Sequence, residues 1–70
     1  MSEELMKYII GTLIERAATL KDDKTTLAEG RRFAYYEMLD IIKNRIEIYG
    51  EDTKDYGLDF DLHSFFESLE

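Results

Sequence analysis

The hydrophobic pattern at the start of the chain predicts a helix over about 3–20. Apolar residues recur three and four positions apart and form one wide stripe: Leu5, Met6, Ile9, Ile10, Leu13, Ile14, Ala17 and Leu20. Residues at that spacing lie on the same side of a helix. Ser2 is placed to cap the first turn, where Glu3 and Glu4 put carboxylates near the positive end of the helix.

A longer second helix is predicted over about 27–49, after a polar break at 21–25. Thr26 and Glu29 have the spacing of a capping box, and Gly50 is placed to end the helix in the left-handed conformation. Two adjacent apolar rows follow this helix. One row has alternating four- and three-residue spacing and contains Tyr35, Leu39, Ile42, Ile46 and Tyr49. The other contains Ala34, Met38, Ile41 and Ile48, interrupted at Arg45.

The two rows predict that the protein associates with itself. A four–three spacing is the repeat with which one helix packs along another. An antiparallel hairpin of two helices needs only one such row, so the second row favours the pairing of two chains into a dimeric four-helix bundle. The predicted fold class is therefore all-α, with a helical hairpin at its centre.

A short third helix is predicted over about 62–69. Asp61 is placed to cap it, and its apolar residues share one face: Leu62, Phe65, Phe66 and Leu69. A helix this brief is not stable alone in water. We therefore expect residues 1–70 to form a single domain in which segment 50–70 docks on the hairpin.

Two aromatic residues of the second helix, Phe33 and Tyr36, lie on its otherwise polar side. The simpler interpretation is that the C-terminal segment of the same subunit or of its partner covers them through Phe65 and Phe66. The alternative is that these four aromatic residues form a docking patch for another protein, because exposed aromatic clusters mark interaction sites.

Composition strengthens the prediction of self-association. The chain has 70 residues, of which 44% are hydrophobic, and it contains no cysteine. A lone core in a chain this short rarely supplies more than about 3–5 kcal/mol. Disulfides are excluded here, so pairing with a second copy is the favoured source of further stability.

The net charge of −7 lies mainly in the acidic C-terminal segment, where residues 50–70 carry seven acidic residues and one basic residue. This charge argues against binding nucleic acid, whose phosphates it would repel.

No apolar run is long enough to span a membrane, and the acidic start of the chain is unlike a signal peptide. We expect a cytoplasmic protein.

The residues with candidate chemistry do not form a recognisable site. Asp52, Asp55, Asp59 and Asp61 satisfy no register of a calcium-binding loop. His63 lies near Asp59 and Asp61, but no nucleophile motif accompanies it. Arg31 and Arg32 are expected to pair with the acidic segment of the same or a neighbouring subunit. The sequence thus predicts no catalytic residue, metal or cofactor.

The leading hypothesis is a non-enzymatic homodimer that acts as a protein-interaction or regulatory module, with an unidentified protein as a further possible partner. One alternative is an acidic inhibitor that imitates nucleic acid on a basic partner, based on the aspartate-rich segment. Another is a small ligand-binding protein or an enzyme that depends on His63.

Overall fold

The computed structural model describes residues 2–69, and over that range 72% of the residues are helical and none is in a strand. Helix α1 spans Glu3–Ala18, α2 spans Thr26–Ile48 and α3 spans Leu62–Glu67. One turn of 3-10 helix, Thr53–Tyr56, lies between α2 and α3. The two long helices form a hairpin-like pair, which confirms the predicted all-helical fold with a hairpin.

The start of α2 differs from the prediction by one residue. Thr25, rather than Thr26, caps the helix, because the Oγ1 of Thr25 accepts a hydrogen bond from the Ala28 N–H at 3.1 Å. The predicted capping box of Thr26 and Glu29 is therefore wrong. A capping box also needs a glutamate or glutamine three residues after the cap. That position is Ala28, whose methyl group cannot accept a hydrogen bond from the N–H of Thr25.

The other helix ends follow their local sequence. The Ser2 hydroxyl accepts a hydrogen bond from the Leu5 N–H at 3.1 Å, as predicted for the cap of α1. Gly50 has a φ of 77°, which glycine adopts without the steric cost of a side chain. The N–H of Glu51 then donates to the Ile46 carbonyl, the longer hydrogen bond of a Schellman motif.

The hydrophobic core joins all the helical segments rather than the hairpin alone. Its buried members are Ile10, Ala17, Leu39, Ile46, Tyr56, Leu58, Leu62, Phe66 and Leu69. Five of these nine follow residue 50, so the C-terminal segment contributes much of the core. The chain measures 37 × 20 × 14 Å along its principal axes.

The C-terminal segment is also tied down by polar contacts. The Lys43 ammonium donates to the Phe60 carbonyl at 2.6 Å, and the Asp22 N–H donates to the Leu69 carbonyl at 3.3 Å. Helix α3 ends at Glu67, two residues before the predicted end. After the helix ends, the Leu69 N–H donates to the Phe66 carbonyl, three residues earlier, which forms a tighter turn than that of an α-helix. Leu69 itself is buried.

Candidate functional site

The first apolar row of α2 faces the core of its own chain. Leu39 and Ile46 are buried, and Tyr35 and Ile42 are half-buried against the same cluster. Tyr49, at the end of the row, is 76% exposed. Packing within one chain therefore accounts for this row up to Ile46.

The second apolar row of α2 lies in solvent. Ile41 is 62% exposed and Ile48 is 67% exposed, while Ala34 and Met38 are also classed as exposed. The structure adds a further exposed member, Leu27, one heptad before Ala34. We call this set the outer row: Leu27, Ala34, Met38, Ile41 and Ile48.

The outer row has the spacing of a coiled-coil seam. Leu27, Ala34, Ile41 and Ile48 are separated by seven residues each, and Arg31, Met38 and Arg45 fill the positions between them. Sequence reasoning missed Leu27 because Arg31 separates it from the rest of the row. The seven-residue interval from Leu27 to Ala34 was the signal that could have found it.

The acidic C-terminal segment lies on the opposite side of α2 from the outer row. Tyr36 contacts Phe66, and Lys43 binds the Phe60 carbonyl. At about 100° per residue, Tyr36 and Lys43 are roughly 160–180° around the helix from the centre of the outer row. The exposed apolar side is thus separated from most of the negative charge.

The four residues of the predicted aromatic patch have different environments. The rings of Tyr36 and Phe66 meet edge to face, with centroids 5.6 Å apart, and Phe65 and Phe66 meet similarly at 5.1 Å. Phe66 is buried and Phe65 is half-buried. Phe33 remains 63% exposed. The structure therefore joins Tyr36 to the α3 aromatics and leaves Phe33 in solvent.

Phe33 borders a cleft of about 690 Å³ between α2 and α3, which we call the α2–α3 cleft. The rings of Tyr36 and Phe66 also line it, together with Gly30, Arg32 and His63. Two exposed carboxylates, Glu29 and Glu67, border it as well. The cleft therefore combines aromatic walls with charged groups of both signs.

Arg32 is the buried charged residue of this cleft. It is only 6% exposed, and its Nη1 donates to the carbonyls of Leu20 at 2.8 Å and Asp23 at 2.7 Å. Its Nε has no hydrogen-bond partner within residues 2–69. Within its own chain Arg32 therefore does not make the expected pair with the acidic segment, because its contacts are carbonyls of the α1–α2 loop.

Two aspartates near helix starts are held in their charged form by local hydrogen bonds. The Thr25 N–H donates to Asp23 at 3.0 Å, and this bond lowers the pKa of the Asp23 carboxyl. Hydrogen bonds from Ser64, followed by one from the His63 N–H, lower the pKa of Asp61. These carboxylates are therefore engaged in capping and turn formation.

The pKa of Tyr56 is raised, whereas those of the two aspartates are lowered. Burial raises the pKa of its phenol, and the hydrogen bond from its hydroxyl to Glu51 at 3.0 Å adds to that effect. A neutral, hydrogen-bonded phenol is the form that a core position favours. Tyr56 is thus explained by packing and requires no ligand.

His63 and the aspartates around it do not converge on one point. The His63 Nε2 lies 2.7 Å from a Glu67 oxygen, and both side chains are largely exposed. The Ser64 hydroxyl bonds Asp61 instead of His63. Within the described range, no three histidine, aspartate or glutamate side chains are grouped in a way that could hold a metal ion.

Comparison of the chain with protein-family models, curated protein sequences and solved structures gives no match. Among the helices of residues 2–69, none combines the length and the apolar character needed for crossing a membrane. The outer row and the α2–α3 cleft are therefore the two candidate sites, and each must be interpreted from its own chemistry.

Proposed function

We propose that the protein is a non-enzymatic interaction module that works as a homodimer, with the outer row of α2 as the interface between two copies. The observation that carries this proposal is the exposure of the whole row along one helix. Single exposed apolar residues are common on protein surfaces, but several of them along one face of a helix, even with Arg31 and Arg45 between them, are typical of an interaction site.

A second copy suits this surface because of where the charge lies. Residues 1–25 carry five acidic and four basic residues, and residues 26–49 carry four of each. The two hairpins can therefore approach each other with little repulsion, while the acidic segment stays on the far side of each α2.

The outer row spans 21 residue steps, about 32 Å along the helix, nearly the full 37 Å length of the molecule.

The positions of the two arginines favour an antiparallel pair. In a parallel pair, Arg31 would face Arg31 and Arg45 would face Arg45 at equivalent levels, bringing like charges together. In an antiparallel pair with Met38 opposite Ile41 of the second copy, Arg31 lies opposite Ile48 and Arg45 opposite Ala34. The aliphatic part of each arginine then covers apolar surface while its charged end reaches water.

Sedimentation equilibrium tests the interface directly. The native protein is expected to sediment at twice its monomer mass of 8.3 kDa at micromolar concentration. Ile41→Lys places a charge in the middle of the row and is expected to shift the protein toward the monomer. Ile41 is already exposed in the single chain, so the variant should keep its helical circular dichroism.

Tyr8→Lys is the matched control, since Tyr8 is an exposed apolar residue of α1 outside the outer row. This variant is expected to remain dimeric. A native protein that sediments only as a monomer would contradict the proposal. Equal dissociation of the two variants would show that the outer row is not the specific interface.

A further inference from the structure

The α2–α3 cleft has features that a dimer interface on the outer row does not explain. Its aromatic walls, Tyr36 and Phe66, lie on the side of the molecule where α3 docks. Phe33, at its edge, is largely exposed although it is one of the largest apolar side chains of α2. An aromatic cleft of this size is the ordinary form of a site for a small ligand.

We propose that the α2–α3 cleft binds a small amphipathic carboxylate, with its aromatic or aliphatic body against Phe33 and Tyr36 and its carboxylate paired with Arg32. The guanidinium of Arg32 is the group that selects an anion. It is buried, its known partners are two neutral carbonyls, and its Nε has no partner in the described part of the chain.

A buried cation with an unsatisfied donor is unfavourable unless an anion or a further acceptor reaches it. A carboxylate matches the planar donors of arginine and forms charge-assisted hydrogen bonds with them. Nε itself is fully buried, so a carboxylate in the cleft would bind the accessible part of the guanidinium. It would add an ion pair that Arg32 does not make within residues 2–69, where the Asp23 carboxyl feels its charge but lies beyond ion-pair distance.

The two carboxylates that border the cleft do not reverse this preference. Glu29 and Glu67 are exposed, where water screens their repulsion, whereas the charge of Arg32 is buried and acts more strongly. Glu67 is moreover in contact with His63, at 2.7 Å. The deepest charge of the site is thus positive.

Isothermal titration calorimetry with three matched probes tests the proposal. These are 4-phenylbutyrate, 4-phenylbutanol and 4-phenylbutylammonium, which share an apolar body and differ in the charge of the head group. The native protein is expected to bind the carboxylate at least tenfold more tightly than either of the others. Equal or tighter binding of the alcohol or the ammonium, or no binding of the carboxylate, would overturn the proposal.

Two variants locate the binding site. Gly30 lines the cleft, and a side chain there would meet no atom within 4 Å of its Cβ, so Gly30→Leu is expected to obstruct part of the cleft and weaken binding strongly without backbone strain. Gly11→Leu, at an equally open position of α1, is the control and should bind normally. Arg32→Met is expected to bind the acid and the alcohol equally.

Gly30 lies close to the outer row on the helix, so the sedimentation mass of Gly30→Leu is measured alongside its binding. Strongly weakened binding by a variant that is still dimeric supports the cleft and leaves the dimer proposal standing. Normal binding by Gly30→Leu would overturn the cleft proposal, whatever the mass. These measurements can therefore contradict the cleft proposal without contradicting the dimer proposal.

Discussion

Arg32 shows how one buried side chain can hold a loop in place. Its Nη1 joins two carbonyls of the α1–α2 connection, those of Leu20 and Asp23. Hydrogen bonds from a charged donor contribute about 1.5–3 kcal/mol each, but removal of a buried charge offsets part of the loss. We expect Arg32→Met to lower the free energy of unfolding by about 1–3 kcal/mol, measured by urea denaturation at fixed protein concentration.

Arg16→Met is the control for this measurement, because Arg16 is an exposed arginine of α1 whose side chain makes no hydrogen bond or ion pair within residues 2–69. Its effect is expected to stay within about 0.5 kcal/mol, as for most surface substitutions. If the two variants unfold at the same urea concentration, the loop contacts of Arg32 contribute nothing to stability.

A substitution at Gly57 tests the backbone conformation of a single residue, again through the free energy of unfolding. Its φ is 74°, and its N–H donates to the Lys54 carbonyl as the 3-10 helix ends. An alanine in this left-handed conformation is strained, so Gly57→Ala is expected to cost about 1 kcal/mol in unfolding free energy. Gly11→Ala, within α1, should instead stabilise the protein slightly, since alanine favours a helix. A stabilised Gly57→Ala would contradict the observed turn.

At the scale of the element, α3 depends on its cap and on its docking. Asp61 accepts hydrogen bonds that hold its pKa below the ordinary value of 3.8. As the pH falls, the unfolded chain therefore takes up a proton at this position before the folded chain does. The stability that Asp61 contributes is present above pH 3.8 and is lost as the pH falls through the lower, folded pKa.

Asp61→Asn is expected to flatten the acid side of the stability curve while changing stability little at neutral pH, because asparagine is also a good cap. Some acid dependence remains, since the pKa of Asp23 is lowered too. Urea denaturation across the acidic range measures the effect. Asp59→Asn removes the same formal charge and is the control; an identical change in both variants would exclude a specific role of the cap.

The helices themselves could be predicted because their signals are local. Ser2, Gly50 and Asp61 act on neighbouring backbone groups, and a residue type at a helix end indicates such a contact directly. The choice between Thr25 and Thr26 could not be made this way, because two adjacent threonines offer the same cap. Glu29 then supported the wrong one.

The sequence predicts that α3 docks near Tyr36, but it does not predict the α2–α3 cleft that this docking leaves open. Its walls come from helices about 30 residues apart, and only the docking of Phe66 on Tyr36 brings them together. The burial of Arg32 also has no sequence signature, because its partners are backbone carbonyls that every residue carries. The outer row, by contrast, depends on spacing along one helix, and four of its five members could be predicted from the sequence.

At the scale of the whole molecule, one helix serves two roles. The side of α2 that bears Leu39 and Ile46 completes the core, while the outer row stays in solvent. A chain this short buries only about 60% of the surface that its unfolded form exposes. Pairing along the outer row would extend the buried surface without bringing the acidic segments together, which links the stability of the protein to its proposed function.

The antiparallel arrangement can be tested by crosslinking, since the native chain contains no cysteine. In the proposed register, two copies of position 38 lie within about 5 Å of each other along the axis, and two copies of position 27 lie roughly 37 Å apart. With a short bis-maleimide, Met38→Cys is expected to give a covalent dimer and Leu27→Cys to stay monomeric on a denaturing gel. A parallel pair would crosslink at both positions, and efficient crosslinking of Leu27→Cys would therefore contradict the antiparallel arrangement.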